Sequence, residues 1–400
     1  MNPLLKSLQP YPFERLRKLF AGAEPSDQYR PISLGIGEPK HPTPAVITEA
    51  LSQAYVGLSQ YPATAGLPIL RQACTNWVQK RYNLLLDPET QVLPILGSRE
   101  ALFSIAQAVL DPADTDAYVA CPNPFYQIYE GAALLAGAKP LYVASNPAKN
   151  FAVDWNTLSE ADWSRVRMMF VCSPGNPTGA VMGLDEWEWL FRKSDQHGFV
   201  MVSDECYSEI YFGDQPPLGG LEAAQKLGRT DFKRLISLTS LSKRSNAPGL
   251  RSGFAAGDAD ILRAFLQYRT YHGSAMSTTI QMASIAAWND EAHVIDNRRQ
   301  YSEKFAAVLP LLSPHLQVSL PDAGFYLWPE VHPAYQQDDE AFARDLYSQY
   351  NVTVLPGSYL ARETQGFNPG RGRVRLALVA SVDECIEATQ RIADFCSNLK

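Results

Sequence analysis

The chain has 400 residues, which is more than one hydrophobic core usually supports, so two domains are expected. Its hydrophobic content of 46% is ample for burial, and a charged content of 19% is low enough to favour a subunit interface. The net charge of −7 is spread along the chain without a basic block, and no apolar run approaches membrane-spanning length, which argues against nucleic-acid and membrane partners.

The amino-terminal twenty residues mix apolar side chains with charges and lack the continuous apolar core of a signal peptide, which predicts a cytoplasmic protein. Pro3, Pro10 and Pro12 favour an arm lying on another surface, followed by a short amphipathic helix over residues 11–20. The six cysteines form no Cys-x-x-Cys pair. We therefore expect them to fill the core in a reducing compartment, and we expect no metal site.

Two segments with glycine and proline follow the arm. Residues 32–44 predict an extended loop in which Gly35 and Gly37 allow close approach of the main chain. Residues 61–71, Tyr-Pro-Ala-Thr-Ala-Gly-Leu-Pro-Ile-Leu-Arg, come after a helical stretch. Considered alone, Tyr61 would be a core or interface aromatic.

Four predicted strands come next, at residues 91–96, 117–121, 166–172 and 199–202, and each leads into polar residues. The first leads into Gly97-Ser-Arg at a helix start, where free N–H groups and the helix dipole suit a phosphate. The others are followed by Phe125 and Tyr126, by Asn176, and by Asp204 and Tyr207. A carboxylate at the end of an interior strand is costly unless it is paired, so Asp204 indicates a partner.

The stretch from residue 235 to 254 points most directly to a chemical function. After a strand at 235–238, Ser240, Ser242 and Lys243 leave its carboxyl end, where open α/β sheets bind ligands. Partial burial and a nearby cation such as Arg251 would keep the lysine amine partly neutral and nucleophilic. The two hydroxyls and the guanidinium of Arg251 suit a phosphate. Together they predict a site that holds a phosphorylated aldehyde cofactor through an imine.

The remaining chain is predicted to hold an antiparallel strand at 253–257 and helices over 260–271 and 281–299. Beyond residue 295 an α+β unit is expected, with strands at 317–320, 325–328, 352–355 and 374–378. Arg373 and Arg375 share one face of the last strand, and a bidentate guanidinium is the usual partner of a substrate carboxylate. We predict an arm and part of a small domain over residues 1–45, a large domain over 46–290 and a small domain over 291–400.

Ser240, Ser242, Lys243, Arg251 and Gly253 resemble the lysine signature of the pyridoxal-phosphate enzymes of fold type I, specifically the class I/II aminotransferases. Further motifs of that family follow in order over nearly the whole chain. The resemblance implies an α/β fold with a mostly parallel seven-stranded sheet between helices, plus a small α+β domain. It also implies pyridoxal 5′-phosphate as cofactor, small amino-acid and 2-oxo-acid substrates, and a homodimer with shared active sites. In such a dimer Tyr61 would reach the cofactor phosphate of the neighbouring subunit.

The resemblance also implies a role for each matching residue. Lys243 would form the resting imine and then move the proton, and Asp204 would pair with the pyridinium nitrogen, while Asn176 and Tyr207 would contact the phenolic oxygen. Tyr126, favoured over Phe125, would stack on the ring. The phosphate would be bound by Ser98, Arg99, Ser240, Ser242 and Arg251. Gly37 would touch the substrate through its main chain, and Arg375, favoured over Arg373, would bind the α-carboxylate.

The flanking sequences look like those of the N-succinyl-diaminopimelate aminotransferases of bacterial lysine biosynthesis. That likeness implies glutamate as amino donor and a long dicarboxylic partner, for which Arg99, Lys40 and Arg244 are the candidate cations. Other possibilities are an aspartate or aromatic aminotransferase, a β-lyase on the same scaffold and, more remotely, the effector-sensing module of a transcription regulator.

Overall fold

One eight-stranded sheet lies at the centre of the structure, a computed structural model that describes residues 1–399, apart from the side chain of Val56. Over these residues the strands are β1 (Ile32–Ser33), β2 (Val92–Ile95), β3 (Tyr118–Asn123), β4 (Lys139–Asn146), β5 (Ala152–Val153), β6 (Val166–Cys172), β7 (Val200–Asp204), β8 (Leu235–Ser240), β9 (Gly253–Gly257), β10 (Tyr326–Leu327), β11 (Val352–Thr353), β12 (Leu355–Pro356) and β13 (Val374–Ala377).

The α-helices of the described residues are α1 (Pro12–Leu19), α2 (Ala45–Gln53), α3 (Pro68–Tyr82), α4 (Ser98–Val109), α5 (Ile128–Leu135), α6 (Glu160–Trp163), α7 (Leu184–His197), α8 (Gly220–Lys226), α9 (Leu241–Arg244), α10 (Ala259–His272), α11 (Thr278–Asn289), α12 (Ala292–Leu312), α13 (Asp339–Tyr350) and α14 (Val382–Ser397). Short 3-10 helices lie between them, among them Pro3–Ser7 in the amino-terminal arm and Tyr55–Ser59 before Tyr61.

The sheet has the strand order β2-β9-β8-β7-β6-β3-β4-β5. Strands β4, β3, β6, β7 and β8 are parallel, whereas β9, β2 and β5 join by antiparallel pairing. The expected α/β fold with a mostly parallel sheet is confirmed. The sheet has one strand more than predicted, because the edge strand β5 is only two residues long and too short to leave a pattern in the sequence.

The central strands are mostly apolar and largely buried because both faces of the sheet are covered. Along β6, Met168 and Phe170 contribute to one hydrophobic core while Met169 and Val171 contribute to another. Successive side chains of a strand point to opposite faces, so these two cores lie on either side of the sheet. All six residues of β8 are buried.

The parallel arrangement brings the carboxyl ends of several strands to one edge. Cys172 of β6 is in register with Asp204 of β7, and Asp204 is in register with Leu238 of β8. Strand β2 is two antiparallel pairings away from β8 and so runs in the same direction, which brings Gly97 and the start of α4 to this edge. The polar residues that follow the predicted strands therefore meet in one place.

The carboxyl-terminal part of the chain builds a separate core. Strands β10, β13 and β12 form an antiparallel sheet, and β1 pairs in parallel with β11 through Ile32 and Val352. A third hydrophobic cluster, including Phe305, Phe342 and Phe395, lies here. The pairing of β1 with β11 agrees with the prediction that the amino-terminal segment forms part of the small domain. The boundaries near residues 45 and 290 remain predictions.

Three local predictions were wrong. Residues 317–320 form no strand. The helix predicted over 281–299 is two helices, α11 and α12, because the Asp290 carboxylate accepts a hydrogen bond from the His293 N–H and starts a new helix there. The stretch after β8, predicted as a loop, begins with the single helical turn α9.

Candidate active site

Lys243 lies on α9, directly after the carboxyl end of β8, and its amine points into a cavity of about 520 Å³. Its Nζ donates a hydrogen bond to the carbonyl oxygen of Gly37 at 2.7 Å. The same nitrogen lies 5.3 Å from the ring centre of Phe325. Gly37 tolerates no side chain, because a Cβ there would come within 1.9 Å of the Tyr326 hydroxyl. The glycine-proline loop therefore passes directly over the lysine.

The electrostatic surroundings favour a neutral amine on Lys243. Its pKa is lowered from 10.5 to about 8, and burial is the largest cause. Arg375 and Arg99 lower the pKa further, whereas Cys206 and Glu38 raise it. The sequence predicts Arg251 as the influential cation, but Arg375 and Arg99 are the arginines that lower this pKa. Near neutral pH a fraction of the amine is thus deprotonated and able to act as a nucleophile.

Asp204 ends β7 and lies at the base of the same cavity, with 4% of its surface exposed. The Tyr129 hydroxyl donates to Asp204 Oδ2 at 2.8 Å, and the Cys206 N–H donates to Oδ1 at 3.3 Å. Burial raises the pKa of the Asp204 carboxyl, while these hydrogen bonds lower it. A cation bound at the base of the cavity would stabilise the Asp204 carboxylate further. Such a cation is the partner that the position of Asp204 at the end of an interior strand predicts.

Asn176, Tyr207 and Arg375 also line the cavity. Arg375 Nη1 donates to Asn176 Oδ1 at 3.0 Å, and its Nη2 donates to the Gly35 carbonyl at 2.9 Å. The Tyr207 and Tyr326 hydroxyls lie 3.0 Å apart. The Arg375 Nε is buried and has no hydrogen-bond partner among residues 1–399. This orphaned donor fits a carboxylate ligand, which a guanidinium can bind with two nitrogens.

A second group of donors lies where β2, β7 and β8 end. It consists of the hydroxyls of Ser98, Ser240 and Ser242 and the guanidinium of Arg251, all of which line the cavity. Gly97 precedes α4 with a φ of 77°, and a Cβ there would come within 2.6 Å of Arg251 Nη2. Only glycine therefore lets the guanidinium approach the start of the twelve-residue helix. Hydroxyls, a guanidinium and free helix N–H groups make up a donor set that fits a phosphate.

Tyr126 lies at the same cavity as these two groups. It lines the cavity, and its hydroxyl accepts a hydrogen bond from Arg99 Nε at 2.6 Å. Phe125 is instead buried and packs on Tyr142, with ring centres 5.2 Å apart. Of this pair, it is therefore Tyr126 whose side chain lines the cavity, in agreement with its choice over Phe125.

Four sequence candidates lie outside this chain's cavity. The Arg244 guanidinium is buried against the Ala287 carbonyl and forms an ion pair with Glu291, so its predicted role at a distal carboxylate was wrong. Lys40 is exposed and lies 3.6 Å from Glu384. Arg373 donates to the Trp328 carbonyl and to Glu330, in agreement with an ion-pair residue. Tyr61 is fully exposed.

Sequence reasoning did not identify several residues of the cavity. Cys206 Sγ lies 2.8 Å from Ser98 Oγ and 3.7 Å from Ser240 Oγ. These contacts link the segment after β7 to two hydroxyls of the donor set that fits a phosphate. Tyr11 and Phe13 of the arm, Gln127 and Tyr326 also line the cavity. One signal was available, because Cys206 and Gln127 are each adjacent in the sequence to a chosen candidate, Tyr207 and Tyr126. Tyr11, Phe13 and Tyr326 are brought to the cavity only by tertiary packing.

Over residues 1–399, no group of three or more histidine, cysteine or acidic side chains is placed to hold a metal ion. None of the helices described has both the length and the apolar character needed to span a bilayer.

The lowered pKa of Lys243 gives a prediction for the cofactor-free protein. Labelling of Lys243 by trinitrobenzenesulfonate, followed by peptide mass spectrometry, should rise with pH through a midpoint near 8, because burial favours the neutral amine. An ordinary lysine titrates near 10.4 and is represented by exposed lysines in the same digest. A Lys243 midpoint that coincides with theirs would contradict the electrostatic description.

Comparison with known protein families identifies the wider relationship. The model of the family described as aminotransferase class I and II matches residues 29–392. An LL-diaminopimelate aminotransferase of Dehalococcoides mccartyi is 32% identical, with 99% of each chain covered. A putative aminotransferase of Rhizobium meliloti is 30% identical, with 98% of this chain and 95% of the relative covered.

Solved structures support the same relationship. An aminotransferase from Neisseria meningitidis superposes with a TM-score of 0.95 at 54% identity, with 99% of this chain and 100% of the other covered. The aminotransferase AspB of Helicobacter pylori superposes with a TM-score of 0.89 at 36% identity, with 98% and 99% covered. Enzymes of class I and II depend on pyridoxal phosphate, and the donor set of the cavity fits that group. The chain belongs to the aminotransferase class I and II family.

Proposed function

We propose that this pyridoxal-phosphate-dependent aminotransferase moves an amino group between glutamate and an N-succinylated 2-amino-6-oxopimelate. The observation that carries the proposal is that Lys243, Asp204 and two guanidiniums, Arg375 and Arg99, face one cavity. A lysine amine and a buried acid suit the cofactor, and two separate cations suit a substrate with more than one carboxylate.

When bound, pyridoxal phosphate supplies an electron-accepting ring that stabilises the charge left by loss of a proton from the substrate's α-carbon. In this proposal Asp204 holds the ring nitrogen in its protonated form. The hydrogen bonds from Tyr129 and Cys206 keep its carboxylate in place. Asn176 and Tyr207 would hold the opposite edge of the ring, and Tyr126 would pack against its face.

Lys243 has two tasks in the proposal. It would hold the cofactor covalently at rest, and its free amine would accept and return the proton of the substrate's α-carbon. A pKa of about 8 serves both tasks, since the neutral amine is available near neutral pH. Its hydrogen bond to the Gly37 carbonyl keeps the amine on the substrate side of the cavity.

The proposed phosphate site comprises Ser98, Ser240, Ser242, Arg251 and the N–H groups at the start of α4. With Arg251 committed to the phosphate and Arg375 to the α-carboxylate, Arg99 is the arginine of the cavity left for a distal carboxylate. The Arg99 side chain is held in position at the cavity, because its Nε donates a hydrogen bond to the Tyr126 hydroxyl at 2.6 Å.

A second candidate substrate is free LL-diaminopimelate, on which several similar relatives act according to their names. Its distal ammonium would need an acidic partner, and Glu38 lines the cavity. Succinylation removes that ammonium and adds a carboxylate. Both candidates keep a distal carboxylate that Arg99 could bind. They differ at the distal nitrogen, which is an ammonium suited to Glu38 in one and a succinyl amide with a further carboxylate in the other.

We also propose a homodimer with shared active sites. Tyr61 is fully exposed and does not line its own cavity, and its neighbours Tyr55 and Leu58 are 63% and 68% exposed. A contiguous exposed apolar patch is typical of an interaction surface. A second copy that covers this patch would receive the Tyr61 hydroxyl at its own phosphate site.

The reaction is tested by adding glutamate to the cofactor-loaded protein. We expect a change in its visible absorption spectrum in a single turnover, with one 2-oxoglutarate released per active site. A panel of amino donors should then give N-succinyl-LL-diaminopimelate the highest kcat/KM with 2-oxoglutarate. A higher value for free LL-diaminopimelate would favour the second candidate. Ammonia release without an amino acceptor would indicate a lyase instead.

Substitution of Arg99 tests the distal site. Arg99→Ala should lower kcat/KM for the succinylated substrate on the order of 10- to 100-fold, the value of a hydrogen bond to a charged group, while the Kd for the cofactor changes little. Tyr126→Phe is the matched control, because it removes the Arg99 anchor but leaves the cation. Equal activity of the Arg99→Ala variant on that substrate would exclude Arg99 from the distal site.

The shared site is tested by subunit mixing. Lys243→Ala and Tyr61→Ala should each be strongly impaired, yet a mixed dimer contains one site with both native residues. Random mixing should restore about a quarter of the wild-type activity, because half of the dimers are mixed and each has one intact site. The double variant Tyr61→Ala/Lys243→Ala, mixed with either chain, should restore nothing. Absence of recovery with both single variants folded and dimeric would contradict the shared site.

A further inference from the structure

A stripe of buried polar residues on α12 faces the turn that bears Lys243. Asn297, Tyr301 and Lys304 are spaced four and three residues apart, so they lie on one side of the helix. They are 2%, 0% and 1% exposed. Tyr301 stacks on Phe325, the ring beneath the Lys243 amine, with ring centres 5.4 Å apart. None of these three residues lines the cavity.

Asn297 satisfies the main chain of the lysine turn. Helix α9 has only four residues, so its last carbonyls lack partners within the helix. The Asn297 Nδ2 donates to the Lys243 carbonyl at 3.1 Å and to the Arg244 carbonyl at 3.3 Å. Buried carbonyls without a donor are costly, so this amide holds the main chain of Lys243 in position.

The Asn297 amide is held in one orientation by hydrogen bonds at both of its ends. Its Nδ2 serves two carbonyls, and its Oδ1 accepts a hydrogen bond from His41 Nδ1, at 2.9 Å, and another from Asn246 Nδ2, at 2.9 Å. His41 Nε2 is then an acceptor, and Lys304 Nζ donates to it across 2.6 Å. The hydrogen bonds thus run in one direction, from Lys304 through His41 and Asn297 to the carbonyl of Lys243.

The two ends of Lys243 are held by one segment of the chain. The segment from Gly35 to Pro44 provides the Gly37 carbonyl that accepts from the lysine amine, and it also provides His41, which orients the Asn297 amide. The side chain and the main chain of Lys243 are therefore positioned relative to the same loop. A shift of this loop would therefore displace both the side chain and the main chain of Lys243.

Lys304 is an unusual residue to bury. No carboxylate of residues 1–399 lies within ion-pair distance of it, and its hydrogen-bond partner is His41 alone. Its amine lies 4.8 Å from the Tyr301 ring centre. Burial of an unpaired ammonium costs free energy, which also lowers the pKa of Lys304 to about 8. Lys304 nevertheless has a role in this buried position, because its amine donates a hydrogen bond to His41.

We propose that Asn297, oriented by His41 and Lys304, is a positioning residue that fixes the main chain of Lys243 during the reaction. The inference rests on the proposed role of Lys243. When the lysine releases the cofactor and takes up the proton, only its side chain can move, because Asn297 holds its carbonyl. Loss of this restraint would let the turn shift and misplace the amine, and an error near 1 Å costs on the order of 100-fold in rate.

The test compares Asn297→Asp with Asn351→Asp in the cofactor-loaded protein. Asn351 is a matched control, since it is also buried and its Nδ2 also donates to a main-chain carbonyl, that of Tyr29 at 2.8 Å, away from Lys243. We expect Asn297→Asp to slow the half-reaction with glutamate at least about tenfold with little change in KM. It should also shift the pH midpoint of the cofactor's visible absorption, which Asn351→Asp leaves unchanged.

The outcomes separate the inference from the proposed function. If the wild-type protein does not react with glutamate, the proposed function fails. If it reacts and the two aspartate variants behave alike in both rate and absorption midpoint, the inference is overturned. His41→Phe keeps a ring against Tyr301 but removes both nitrogens, so it should show the same two changes even if Asn297→Asp does not fold. A normal rate and midpoint in His41→Phe would likewise overturn the inference.

Discussion

Main-chain hydrogen bonds between β6, β7 and β8 set the relative positions of the groups on which the chemistry depends. Because these strands are parallel and adjacent, the residues that follow them leave the sheet at one edge and in register. Asp204 and Lys243 therefore reach the same cavity from neighbouring strands. The strands are buried on both faces, so the spacing between these groups is as rigid as the core itself.

Burial of charged groups is the second feature of the site. Burial raises the pKa of the Asp204 carboxyl and lowers that of the Lys243 amine, so each group is shifted toward its neutral form. A cationic ring nitrogen beside Asp204 would reverse the first shift, whereas the second keeps the amine nucleophilic. Burial thus shifts the pKa of both groups toward the neutral form, and a bound cation would return only Asp204 to its carboxylate.

Much of this arrangement could be predicted from the sequence, because strand patterns and the residues after them are local features. The runs at 166–172 and 253–257 are predicted with the bounds that the structure shows, and the position of Lys243 just after the end of β8 is also predicted, although its helical turn is not. The residues missed depend on tertiary packing. Tyr326 and Phe13 come from distant elements, and no spacing in the sequence relates them to Lys243. The prediction that Arg244 binds a distal carboxylate was wrong for the same reason, because tertiary packing pairs its guanidinium with Glu291.

The account depends most directly on the covalent partner of the cofactor. Reduction of the cofactor-loaded protein with borohydride, followed by digestion and peptide mass spectrometry, identifies the lysine that holds it. We expect the added mass on the peptide that contains Lys243, and no labelling in the Lys243→Ala variant. Labelling of a different lysine, or an unlabelled Lys243 in a protein that reacts with glutamate, would contradict the account.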